Sequence, residues 1–331
     1  MLDKKIKVSF VYRNCLALTQ KNFYTYFYHF FFKALERNNE LDVNYVQVNE
    51  KYDVEKLKGK TDIILLYEAF NTGQLCVPDE LIGIEKTNIP VISKVADPWA
   101  ALTHDVGKYH DKLKIDGYFG PWQTDFLQKY YPSKFKFKTI FFGIEPSLYN
   151  NVTPFNERIT KTILNSGAVA RTNLTNRIFQ KLMRGDSDPM KHYKLRTMCN
   201  KLPYVDYTST LEHEFIGDKY PLKLNQYAAS IAATTDTYTI KYFEIPAAGC
   251  LTFMEITDKN YGHSLGFKDG VSAIFINKNN YEEKFEEFLN DPKNPKWQQI
   301  ANAGREHAME NFSNDKGVKT LVQFFKEFIL S

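Results

Sequence analysis

An ammonium and a carboxylate on neighbouring turns mark the most suggestive stretch of this sequence, Lys241-Tyr-Phe-Glu244-Ile-Pro-Ala-Ala-Gly249-Cys-Leu-Thr. The pattern predicts a helix that begins near Lys241 and carries Glu244 in its first turn. A carboxylate so placed accepts two vicinal hydroxyls, as a ribose or another sugar diol presents them. Lys241 adds positive charge, and the free N–H groups of a first helical turn add affinity for an anion. Ala247, Ala248 and Gly249 let the helix approach a neighbouring sheet. The plainer reading is an ordinary helix start, with Glu favoured by the helix dipole and the small residues by packing.

A second stretch, Asn165-Ser-Gly167-Ala-Val-Ala-Arg171-Thr-Asn-Leu-Thr-Asn-Arg177, reads as a strand that ends in a small-residue turn and leads into a helix with two arginines. Backbone N–H groups in such a turn, with Arg171 and Arg177 nearby, suit a diphosphate. Two exposed arginines on a surface helix are the alternative. The stretch is not a Walker A loop, and G-x-G-x-x-G is absent. In the first half, Val-Ala-Asp97-Pro-Trp puts Asp97 at a strand's carboxyl end, where a general base is reachable. His104, with Asp105 beside it, could bond a hydroxyl or take a proton, and Glu68 ends the apolar run DIILLYEAF. Asp97-Pro98 also fits a turn or helix cap, and His104 a surface histidine.

Alternating strand-like and helix-like segments must position these groups. Strands are predicted over 4–12, 42–48, 62–70, 90–97, 116–120 and 138–143, with helices over 22–38, in PDELIGIEK and in WQTDFLQKYY. The run at 62–70 has the continuous apolar character of a strand buried on both faces. Residues 144–160 carry two prolines, paired asparagines and no apolar periodicity, as a linker does. The alternation then restarts, with strands over 161–169, 203–207, 230–235, 250–256 and 271–276, a helix over 173–184, and a helical tail from Tyr281. Such repetition needs crossover connections and gives parallel sheets covered on both faces. We therefore expect an α/β protein of two Rossmann-like domains, 1–152 and 153–313, with a last helix over 314–331 that packs back on the first. A cleft between the two would have sheet carboxyl ends on both sides.

The 331 residues suit two domains, and 43 Lys+Arg against 39 Asp+Glu leave a net charge of +4, too weak to make nucleic acid the default partner. With 16 Gly and 13 Pro and no low-complexity run, collagen-like and disordered classes are excluded. No stretch of about 18 apolar residues is present to span a bilayer. Ser9 and Arg13 interrupt the first apolar run, so a cleaved secretory signal is not expected. Cys15, Cys76, Cys199 and Cys250 lie far apart and read as four reduced thiols, consistent with a cytoplasmic protein. Eight of the ten residues from Phe23 to Phe32 are aromatic, which reads as a buried helix. Their tyrosine hydroxyls and His29 could instead face an acceptor sugar or a membrane interface. Lysines 4, 5, 7, 21 and 33 and those of KFKFK (134–138) allow peripheral contact with acidic lipid headgroups, solvated surface being the plainer reading.

The segment KYFEIPAAGCLTFMEITD, then SLGFKDG, a strand, EEKFEEFLNDP and WQQIANAGREHAMENFS, resembles the C-terminal half of group 1 glycosyltransferases, closest to the spore-maturation-type branch. Phe141-Phe-Gly143-Ile-Glu-Pro-Ser-Leu-Tyr149 is similar to that family's interdomain sequence. The resemblance covers about residues 138–325 and is faint before them. It implies a GT-B fold, with two Rossmann-like domains facing across a cleft, a nucleotide-sugar held mainly by the second and the acceptor mainly by the first. By position, Glu244 is similar to the family's ribose-binding glutamate, while Asp236 stands where another glutamate is often found. Arg171 and Arg177 fall in the region of the diphosphate-binding turn without the usual Arg-x4-Lys spacing, and Lys241 replaces an Arg or Lys often found before the Phe-Glu pair. Gly167, Arg171, Arg177, Tyr238, Lys241 and Glu244 thus form the expected donor-binding set, with Asp97 and His104 as catalytic candidates. Neither a metal nor a cofactor is expected, because side chains and helix ends would meet the charge of the leaving diphosphate. The expected activity is transfer of a sugar to a glycan, a lipid-linked sugar or a cell-surface polymer. Transfer to a modified DNA base and a non-catalytic nucleotide-sugar-binding module are the alternatives, the latter suggested by Asp236.

Overall fold

The computed structural model describes residues 5–13, 31–67, 76–95, 101, 105–170, 189–208 and 219–330. The chain divides into two compact units, one of residues 1–145 with 313–331 and the other of residues 146–312.

The first unit contains β1 (Ile6–Arg13), β2 (Leu41–Val48), β3 (Lys51–Asp53), β4 (Ile63–Leu66), β5 (Glu80–Ile82), β6 (Val91–Lys94), β7 (Gly117–Gly120) and β8 (Phe137–Thr139). Six of them form a sheet in the order β2-β1-β4-β6-β7-β8, and every pairing is parallel. The central strand β4, Ile-Ile-Leu-Leu, is buried along its whole length, as expected of a strand covered on both faces. At the edge, β2 alternates between sheltered and exposed positions. The C-terminal helix Asn314–Ile329 lays Val318, Leu321, Val322, Phe324 and Phe325 into this unit's core. Its first turn is tied to the chain just before the unit boundary. The Asn314 side chain accepts from the Gly143 amide at 2.8 Å, and the Asn314 amide donates to the Ile144 carbonyl at 2.7 Å.

PDELIGIEK is not a helix. Residues Glu80–Ile82 pair with β3 in a separate two-stranded parallel sheet, and Gly83, at φ 79°, turns the chain into a single 3-10 turn. Left-handed backbone at that point prevents the helix that the polar spacing suggests. The predicted helix in WQTDFLQKYY shrinks to Thr124–Leu127. Lys136 and Lys138 both reach Glu327 (3.5 and 3.4 Å), and the Lys136 ammonium sits 3.9 Å from the centre of the Phe328 ring. Those two lysines of KFKFK are thus engaged within the unit. Most of the aromatic run lies outside the described residues, but Phe31 is buried against Phe119 and Phe142.

The second unit holds β9 (Ile163–Ser166), β10 (Val205–Thr208), β11 (Ala229–Ala232), β12 (Leu251–Glu255) and β13 (Ile274–Ile276). They make one parallel sheet in the order β10-β9-β11-β12-β13. The strand after β9 pairs on one side of it and all later strands on the other, so the order reverses between β9 and β11. Ligands of open α/β sheets bind beyond the carboxyl ends of the strands at that reversal. The helix Pro295–Phe312 packs closely here: a Cβ on Gly304 would lie 2.4 Å from the Ser272 carbonyl oxygen, so no larger residue fits. Among the described residues, no helix is long and apolar enough to cross a membrane.

Cys199 and Cys250 are free and buried, whereas Cys76 is disulfide-bonded, so the expectation of four reduced thiols does not hold. Burial pushes both free thiols up, Cys250 to about 11, which makes them poor nucleophiles.

Candidate functional site

The chain leaves β9 at Ser166 and turns at Gly167, whose φ of 106° lies where side chains are rarely tolerated. The turn is pinned by its own backbone. The Gly167 amide donates to the Thr208 carbonyl at 3.1 Å, its carbonyl accepts from the Tyr207 hydroxyl at 2.9 Å, and the Ala170 amide donates to the Thr197 hydroxyl at 3.0 Å. The amides of Gly167 and Ala170 are therefore committed to the fold. Of the backbone N–H groups expected to meet a phosphate in this turn, these two are thus taken, and side chains add charge beside it.

Two cationic side chains converge on the turn. A Cβ on Gly167 would lie 2.8 Å from Lys241 Cε and 2.9 Å from Arg196 Nη1, so the missing methyl group is what lets both approach. Lys241 opens the helix Lys241–Ala247 and is buried, as is Glu244 one turn on. The Lys241 ammonium donates to the Tyr220 hydroxyl at 3.1 Å and lies 4.4 Å from the centre of that ring. Tyr220 also shares a 2.5 Å hydrogen bond with Ser166 Oγ, which links the helix start to the end of β9. Burial pushes the Lys241 ammonium well below its usual range; Glu244 opposes this and the charge of Arg196 reinforces it. Burial and the neighbouring Glu244 also push the Tyr220 phenol up, so it stays a neutral donor and acceptor.

Arg196 was not among the residues singled out by sequence. It lies on the short helix Lys194–Cys199, whose Leu195, Thr197 and Cys199 are also buried. Only 2% of Arg196 is exposed, yet its Nε and Nη2 have no hydrogen-bond partner. Its Nη1 makes one long contact, 3.5 Å, to the Ala168 carbonyl, and the guanidinium lies 4.6 Å from the centre of the Tyr193 ring. At the end of β12, Glu255 has a buried carboxyl oxygen without a partner. Burial pushes its carboxyl up to about 7, with Arg196 the largest influence in the other direction. The sequence signal for Arg196 was slight: a charged residue on the apolar face of a short amphipathic segment.

Asp236, eight residues before Glu244, is occupied on both oxygens. It takes His192 Nδ1 at 2.7 Å and the Lys259 ammonium at 2.5 Å. Tyr238 is buried, its ring centre 6.1 Å from that of Phe243, which stacks on Phe312 at 4.3 Å. Gly167, Lys241 and Glu244 are thus brought to one place at the sheet's order reversal, and Tyr238 joins the packing behind the same helix. Arg171, Arg177, Asp97, His104 and Glu68 lie outside the described residues.

Solved structures resemble the chain over nearly its whole length. A glycosyltransferase from Rickettsia africae ESF-5 matches 98% of this chain and 99% of its own, with a TM-score of 0.55 and 10% identity. Anabaena Alr3699/HepE in complex with UDP covers 97% and 100%, with a TM-score of 0.55 and 11% identity. An alpha-glucosyltransferase in complex with UDP-glucose and DNA containing an abasic site covers 97% and 100%, with a TM-score of 0.57 and 11% identity. The fold is GT-B. Residues 190–323 also match the family model described as glycosyl transferase-like. That match holds Arg196, Lys241 and Glu244, and it supports an enzyme of the glycosyltransferase class. Nothing in either comparison singles out the spore-maturation-type branch. No curated protein matches the chain in sequence.

Proposed function

We propose that this chain transfers a sugar from a nucleotide-sugar donor held at the carboxyl end of β9, and that Glu244 and Lys241 are its central donor-binding residues. The observation that carries the reading is the buried Lys241–Glu244 pair beside the Gly167 turn, at the point where the strand order reverses. Fold similarity alone gives no substrate; the charge pattern does the selecting. In this reading Glu244 accepts the two hydroxyls of the donor's ribose. Lys241, steadied by Tyr220, places its ammonium on the diphosphate and meets the charge that grows there as the glycosidic bond breaks. Charge stabilisation by side chains makes a metal unnecessary. Asp97 and His104 remain our candidates for receiving the acceptor's proton, and a glycan, lipid-linked sugar or cell-surface polymer remains the proposed acceptor. We keep the cytoplasm as the proposed location without the thiol argument, which the disulfide at Cys76 removes, and peripheral membrane contact as an option for a lipid-linked acceptor. The alpha-glucosyltransferase complexed with DNA keeps a DNA-base acceptor as the second reading.

A transfer assay with a panel of UDP-, GDP-, dTDP- and CMP-sugars tests this. Glu244→Ala is expected to lower kcat/KM by about 100-fold or more with the preferred donor. Unchanged kinetics would remove the assignment. Adding duplex DNA to the panel separates the second reading, because only a DNA-directed enzyme binds it with steep salt dependence.

A further inference from the structure

Arg196 is a buried cation with an unfilled half. Its Nε and Nη2, the pair of donors that grips an oxyanion two-fold, have no partner, and the residue is almost wholly shielded from water. Its Nη1 and the Lys241 side chain both come within 3 Å of one point, the missing Cβ of Gly167. Two cations that crowd one buried point repel each other, and water does not screen them. Glu244 supplies counter-charge to Lys241. Among the described residues, Glu255 is an acid near enough to feel the charge of Arg196, yet it does not bond it and keeps a buried oxygen unpartnered. Among the described residues, no acid bonds the Nε–Nη2 edge of Arg196.

We infer that Arg196 is a donor-binding residue whose open Nε–Nη2 edge grips a pyrophosphoryl group, and that with Lys241 it makes the site select a nucleoside diphosphate over the bare nucleoside. This deepens the reading given above and rests on it for the nucleoside, not for the anion. It also explains why the amides of Gly167 and Ala170 can be spent on the fold.

The test is calorimetric titration of the full chain with UDP, uridine and inorganic pyrophosphate, for wild type, Arg196→Gln and Arg196→Lys, with thermal unfolding of each variant alongside. Arg196→Gln is expected to weaken UDP by about tenfold or more, to leave uridine within about twofold, and to abolish pyrophosphate binding. Arg196→Lys keeps the charge without the fork, and should recover part of the UDP affinity; it carries the test if the glutamine variant does not fold. An unchanged UDP-to-uridine ratio in both variants would overturn the inference, and so would an equal loss for UDP and uridine, the mark of a structural role. Wild type that binds pyrophosphate through Arg196 but gains nothing from the uridine would keep this inference and sink the nucleotide reading. Binding of none of the three would sink both.

Discussion

Two arginines, one in each unit, show how differently a guanidinium can be used. Arg37 in the first unit is saturated. Its Nη1 and Nη2 take both oxygens of the buried Glu145 at 2.8 and 3.0 Å, and its Nε and Nη2 take Asp315 at 3.1 and 2.8 Å. These acids stand where the chain is about to leave the first unit and where it has just returned, so Arg37 joins the two crossing segments. Arg196 in the second unit is more deeply buried and nearly unpartnered. Depth alone does not explain the contrast. Arg158, also buried in the second unit, gives its Nε to the Thr153 carbonyl and its Nη2 to the Ala248 carbonyl, both at 2.9 Å. Where the fold needs a buried arginine it supplies acceptors, and at Arg196 it does not. That difference separates a residue that holds the chain from one that holds a ligand.

Substitutions can break or sharpen this contrast. The largest effect is expected at Arg158. Its replacement by Met leaves several buried carbonyls without a donor, and urea unfolding should show a loss of about 3–5 kcal/mol. Glu255 follows. Its carboxyl titrates near 7 in the folded chain against 4.5 for an ordinary glutamate. Between those values the folded chain keeps a proton that the unfolded chain has released, so stability falls as pH rises through that window. Glu255→Gln should remove roughly 3 kcal/mol of that fall, at about 1.4 kcal/mol per unit, when unfolding at pH 5 and 7.5 is compared. Arg37→Met should cost about 1–2 kcal/mol, because Glu145 loses its bidentate partner while Arg37 itself is half exposed. Arg196→Met should change the stability of the ligand-free chain by less than about 1 kcal/mol, since an isolated buried charge is removed with few bonds. A loss at Arg196 as large as that at Arg158 would erase the distinction.

Much of the fold was legible because burial on both faces writes itself into sequence. The run Ile63–Leu66 is apolar throughout and Leu251–Met254 nearly so, and alternation with helical stretches pointed to the parallel sheets. The second unit's tail was equally plain, with Phe285 and Phe288 at helical spacing and Trp297 on the next helix joining them in the core. The small β3-β5 sheet was hidden because its three-residue strands carry no periodicity and one of them borders Gly83. Around the site, Gly167, Lys241 and Glu244 announced themselves by residue type beside a turn or helix start. Arg196 did not: its role depends on which carbonyls it fails to meet, a property of three-dimensional packing that spacing along the chain does not encode. Asp236 drew notice by its position alone, and its contacts to His192 and Lys259 come from other segments that spacing does not bring together.

Calorimetric titration of the full chain with nucleotide-sugars, UDP-glucose first and then its GDP, dTDP and CMP counterparts, bears most directly on the central claim. The account predicts one saturable site per chain for at least one of them, and its loss in Glu244→Ala at unchanged thermal stability. A folded wild-type chain that binds no nucleotide-sugar at millimolar concentration, or a Glu244→Ala variant that binds as well as wild type, would contradict it.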